Sequence, residues 1–198
     1  MKLTSFILMI QLLTTTALHA AEFRLVKQSG DVFLYERWIG EGDAAVRELK
    51  AVFLVKASAP SIISLLRDPQ RGPGWNPSAR EYKVLPAPEP GKWINYIRYA
   101  IPWPFEDQDC CLSFHVESAL EVRFESTQHP AFPPEEGRTR LTGVRGRWLL
   151  EPRNSGFVQV QYFITTNRNR KLPRWASDPI VHNNLVKTMT QFKHLAEQ

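Results

Sequence analysis

Asp109-Cys110-Cys111-Leu112-Ser113-Phe114-His115-Val116-Glu117 sets Cys110, Leu112, Phe114 and Val116 on one side of an extended chain and Cys111, Ser113, His115 and Glu117 on the other. Successive side chains of a strand point to opposite faces, so this period of two identifies a half-buried antiparallel strand. The flanking sequence supplies neighbours for it. Val158, Val160, Tyr162 and Ile164 alternate with Gln159, Gln161 and Thr165 in a second strand of the same kind. Further strands are predicted at Val32–Trp38, Val46–Val55, Glu81–Leu85, Lys92–Ile101, Glu121–Thr127 and Thr139–Pro152, the last bent or broken near Gly143–Gly146.

The period changes twice. Ser58 can cap a helix with Pro60 in its first turn and Ile62, Ile63, Leu65 and Leu66 on its buried side, closed by Asp68-Pro69. Near the C-terminus, Asp178 reads as a cap and Pro179 as the first position of a long helix reaching His194–Glu197. Its Ile180, Val181, Leu185, Met189, Phe192 and Ala196 form an apolar stripe. Phe23–Gln28 reads as a helical turn or two. Early strands, a short helix, a run of strands and a terminal helix make an α+β domain.

The 198 residues suffice for one domain with a sizeable core. Lys2, the apolar stretch Leu3–Leu13 and the small residues Thr14–Ala20 predict a signal peptide over residues 1–20. The expected product is a periplasmic or secreted protein whose folded domain covers residues 23–196. The net charge of +5 is compatible with an anionic membrane surface. No stripe interleaves basic and aromatic residues as a nucleic-acid channel would, so no nucleic-acid partner is expected. A monomer is expected. Cys110 and Cys111 are adjacent, with no metal-ligand spacing and no disulfide framework around them. They read as two reduced thiols, Cys110 inside and Cys111 outside, where Cys111 is a candidate for an intermolecular bond. No metal is expected.

Four segments in order carry a family resemblance. They are Trp75-Asn76-Pro77 leading to Glu81-Tyr82-Lys83-Val84-Leu85, Ile101-Pro102-Trp103-Pro104-Phe105 leading to Asp107-Gln108-Asp109, Gly146-Arg147-Trp148 with Pro152, and Leu172-Pro173-Arg174-Trp175. Together they resemble the START (StAR-related lipid transfer) domain. The resemblance implies a helix-grip fold of the START/Bet v 1 type: a curved antiparallel sheet wrapped around the C-terminal helix, with short helices after the second strand. Gln108 departs from the arginine usual in the family. Asn95 and Phe114 fall where sterol-binding members keep buried charges, and both are uncharged, which argues against a sterol.

Alternating apolar positions taken alone describe a solid core. The resemblance implies instead a hydrophobic cavity for a lipid or other hydrophobic small molecule. Its expected walls are Asn95, Ile97, Tyr99, Cys110, Leu112, Phe114 and Trp148, and its lid Leu185, Met189 and Phe192. Asn95 and Tyr99 are the polar candidates for orienting the guest. No arginine stands out at an inward position, so phosphate recognition lacks support. Phe132, at the tip of a proline-stiffened loop, and Arg168, Arg170, Lys171, Arg174 and Trp175 in a basic loop are the candidates for transient membrane contact. There is no GxSxG, HExxH, P-loop or dinucleotide fingerprint, so no catalytic residue and no cofactor is assigned. His115, His182 and His194 read as solvent-facing. The alternatives are an enzyme using Tyr99, His182 or an Asp inside the cavity, as in helix-grip cyclases, and a ligand-sensing accessory module.

Overall fold

The computed structural model describes residues 22–40, 45–101, 106–166 and 174–198, with side chains in the last stretch from Ser177 onward. The predicted signal peptide lies outside the described residues. So do Arg168, Arg170, Lys171 and the side chains of Arg174 and Trp175.

Ten strands form one sheet: β1 (Arg24–Ser29), β2 (Val32–Ile39), β3 (Val46–Val55), β4 (Ala79–Pro86), β5 (Lys92–Tyr99), β6 (Asp107–Ser118), β7 (Glu121–Ser126), β8 (Arg138–Arg140), β9 (Arg145–Pro152) and β10 (Val158–Thr165). Their order is β1-β2-β3-β10-β9-β7-β6-β5-β4, all antiparallel, with β8 added parallel to β6. Two short helices, α1 (Ala59–Leu66) and α2 (Gly72–Trp75), follow β3, and α3 (Arg174–Ala196) ends the chain.

Local chemistry explains most boundaries. The Ser58 hydroxyl accepts from the Ser61 amide at 3.2 Å and starts α1. Asp68 Oδ1 accepts from the Gln70 and Arg71 amides and turns the chain toward α2. The long strand expected over Thr139–Pro152 is divided into β8 and β9 around Gly143, whose φ is 66°.

Two expectations are corrected. The segment expected as helix over Phe23–Gln28 is strand from Arg24 onward: β1 pairs with β2 through a turn at Gly30, whose φ is 56°, and the gain is cross-strand pairing that no local period announces. α3 begins at Arg174, ahead of Asp178, and carries Pro179 inside it. Asp178 is engaged by Arg47 Nη1 at 2.6 Å.

The concave face of the sheet carries Leu34, Leu49, Ala51, Phe53, Leu112, Phe114, Trp148 and Val160, and α3 lies across it. The helix is anchored by its second half. Val186, Met189 and Phe192 are buried, whereas nothing from Ser177 to Leu185 is.

Candidate functional site

Between the concave sheet and α3 lies a cavity of about 570 Å³. Aromatic rings build its inner floor. Trp93 stacks on Phe114 and Phe114 on Phe124, both at 5.1 Å, and Phe124 meets Tyr162 at 5.8 Å. Phe124 and Tyr162 belong to strands separated by β9. Gly146 on β9 pairs with Phe124 on one side and Ile164 on the other, and a Cβ there would overlap the Phe124 ring and the Phe163 carbonyl, so its bare backbone leaves the Phe124 ring room to lean toward Tyr162.

The expected wall residues Asn95, Ile97, Tyr99, Cys110, Leu112, Phe114 and Trp148 all line this cavity, and so do Leu185 and Met189 from the helix. Phe192 does not. It is fully buried behind the wall, 4.7 Å from Trp148, 5.3 Å from Trp75 and 6.4 Å from Phe53, and it closes the inner end as a plug. Its place in the apolar stripe indicated burial but not on which side of the void it would fall.

The inner end also holds polar atoms. Asn95 Nδ2 donates to the Tyr82 hydroxyl at 2.7 Å and reaches the Leu66 carbonyl at 3.4 Å. Asn95 Oδ1 and the indole N–H groups of Trp75 and Trp148 have no hydrogen-bond partner among the described residues. Burial pushes the Tyr99 hydroxyl far above its usual range, an Asn76 hydrogen bond pulling the other way, and it raises Tyr162 as well. Cys110 is pushed up to about 12, mainly by burial. These groups stay protonated and neutral at ordinary pH.

The mouth is more polar. Gln108, Ser78, Glu106, Thr139, Ser177 and Asn184 stand there with the half-exposed Ile180. Sequence reasoning missed Arg47. It lies on β3 two residues before the inward-facing Leu49, so strand parity points it into the cavity, and it lines the mouth. Its Nη1 contacts Asp178 at 2.6 Å and Glu36 at 3.5 Å. Glu36 is only 1% exposed and is also reached by Arg24 at 3.0 Å and His182 at 3.6 Å. His182, expected in solvent, is therefore part of a semi-buried cluster. Desolvation and the Arg47 charge lower its pKa, against the pull of Glu36 and Asp178.

Phe132 and Cys111 also depart from expectation. Phe132 is not an exposed tip. It is 8% exposed and stacks on Tyr96 at 4.4 Å, on the outer side of the sheet. Cys111 faces outward as its parity requires, yet lies fully buried in the same small cluster, and so offers no exposed thiol. Arg140 clamps this strap to Asp109 through Nε at 2.6 Å and Nη2 at 2.9 Å, and Arg138 donates to the Tyr96 hydroxyl at 2.8 Å. The strap then delivers Thr139 and Leu141 to the cavity mouth.

No protein-family model matches the chain. An uncharacterised protein of Pseudomonas aeruginosa is 23% identical to it over 182 residues, covering 90% of this chain and 89% of that one. A STAR-related lipid transfer protein from Xanthomonas axonopodis has a similar solved structure, with TM-score 0.74 and 24% identity, over 89% of this chain and 99% of that one. Human StAR-related lipid transfer protein 5 gives TM-score 0.70 at 12% identity, over 89% and 86%. An aromatase/cyclase from Streptomyces gives 0.59 at 14% identity, over 77% and 94%. The chain has the helix-grip fold of the START domain.

Proposed function

We propose that this protein binds a lipid in the cavity under α3 and carries it, without catalysing its conversion. The observation that carries the reading is the cavity: an aromatic and aliphatic chamber on the wall that sequence parity designates, in a fold shared with lipid transfer proteins. Moving a hydrocarbon through water is costly. Each methylene is worth about 0.8 kcal/mol, so a sixteen-carbon chain represents roughly 12 kcal/mol that the apolar walls can offset. A fatty-acyl lipid or phospholipid is favoured over a sterol, because the inner walls at Asn95 and Phe114 bear no charge. Three of the titratable side chains lining the chamber, Tyr99, Cys110 and Tyr162, are pushed away from neutral pH and make poor proton carriers at its apolar wall, which favours carriage over a cyclase-like reaction.

The protein would act after export, as a monomer, in transient contact with anionic membrane. Native mass spectrometry of protein purified from its own host without detergent tests the carrier reading. A stoichiometric, extractable lipid is the expected result. Protein that emerges empty and binds nothing across a lipid panel would end it.

A further inference from the structure

Among the described residues, the charged side chains lining the cavity are Arg47 and Glu106. Glu106 is occupied by the Thr139 hydroxyl at 2.9 Å. Arg47 is different. Its shortest approaches to both carboxylates, Asp178 and Glu36, are made through Nη1. Its Nε and Nη2 make no hydrogen bond with the described residues, and its side chain keeps 17% of its surface exposed where it lines the cavity mouth. Nε–H and Nη2–H form the side-on fork of a guanidinium, which matches the two oxygens of a carboxylate or phosphate.

The surroundings fix that fork in place. Glu36 and Asp178 hold Nη1 from β2 and from α3, and Arg24 from β1 and His182 from α3 face Glu36 in turn. With His182 neutral, two arginines face two carboxylates, so an incoming anion meets no net negative charge from this cluster. Val181 and Leu185 on α3 and Leu49 and Ile164 on the sheet continue from Arg47 toward the inner end as an apolar path. The volume of about 570 Å³ falls within the range of about 300–1,000 Å³ typical of single-ligand pockets.

We propose that Arg47 is the headgroup anchor of the cavity, selecting a single-chain lipid with an anionic carboxylate or phosphate head that docks on Nε and Nη2 while the acyl chain runs inward. This rests on the carrier reading and specifies its ligand class.

Quenching of the cavity tryptophans by oleate, oleoyl lysophosphatidate and monooleoylglycerol, each below its micelle concentration, tests it. At least one of the two acids binds about tenfold or more tighter than the neutral glyceride, the scale of a charge-assisted hydrogen bond. Preference for oleate alone identifies a fatty acid, and for lysophosphatidate alone a phospholipid head. Arg47→Lys keeps the charge but loses the fork, and reduces the preference. Arg47→Gln with Glu36→Gln avoids a stranded buried carboxylate and abolishes it, while monooleoylglycerol still binds. If the double variant loses the neutral lipid as well, the lysine variant decides: an unreduced preference there overturns the anchor. Equal wild-type affinities for all three lipids overturn it too and leave the carrier intact. Binding of none removes both.

Discussion

Asp109 illustrates how one buried charge organises a segment distant in sequence. It is 1% exposed, and burial alone would raise its pKa; the Arg140 and Tyr96 hydrogen bonds and the Arg140 and Arg138 charges outweigh burial and hold it below the usual carboxylate range. A carboxyl whose pKa is lower folded than unfolded stabilises the fold above its unfolded value of about 3.9, and that contribution is lost as pH falls through the folded value. Chemical denaturation should therefore lose stability below about pH 4, and Asp109→Asn should flatten that acid limb while costing about 3 kcal/mol at neutral pH. A wild-type acid limb retained in the variant would remove Asp109 from this role. Residues of this kind mark the limit of sequence reading. Parity put Cys111 outside and Cys110 inside correctly, but it could not reveal that Phe132, from a later loop, covers Cys111. Arg47 was missed for a related reason. The β3 segment alternates imperfectly, and a cation at an inward position breaks the very pattern used to find the inward face.

Between elements, legibility follows how local the stabilising contact is. β6 and β10 were evident because apolar and polar residues alternate along each, although Asp109 and Cys111 on β6 and Phe163 and Thr165 on β10 are buried as well. α1 was evident because Ser58 and Pro60 act on their own helix. β1 was not, since its pairing with β2 compensates for a sequence without a period. The start of α3 was misplaced because Asp178-Pro179 is a strong local start signal, while the aspartate answers to Arg47 on β3. This division runs through the helix itself. Its second half is locked by Val186, Met189 and Phe192. Its first half is held by polar contacts at the mouth: Asp178 to Arg47 and His182 to Glu36. Local opening costs least where few apolar contacts must be broken. Amide hydrogen exchange should accordingly be faster across 180–185 than across 186–193, and Arg47→Lys should widen the gap. Uniform protection along the helix would mean that the mouth half cannot serve as the moving side of the proposed carrier.

For the whole molecule, the proposed membrane contact raises the question of which end would make it. Thr166, the last described residue before the basic stretch with Arg168, Arg170 and Lys171, lines the cavity mouth, which makes that stretch the candidate for the contact. The half-exposed Ile180 stands at the same end. Among the described residues, no helix is long and apolar enough to cross a membrane. A cation near an anionic surface contributes about 1 kcal/mol, and reversing three of them should weaken binding to phosphatidylserine vesicles by about a hundredfold or more. Phe132 no longer belongs in that contact, being packed on Tyr96. Lys56 and Arg153 lie at the other ends of β3 and β9, exposed and away from the mouth, and provide the control. Vesicle co-sedimentation should fall sharply for Arg168→Glu, Arg170→Glu and Lys171→Glu together, and much less for Lys56→Glu with Arg153→Glu. Raised salt should shrink the difference, because exposed charges are screened over about 10 Å at 0.1 M. If both variants lose the same fraction of binding, the attraction comes from net charge alone, and the mouth has no privileged orientation toward the bilayer.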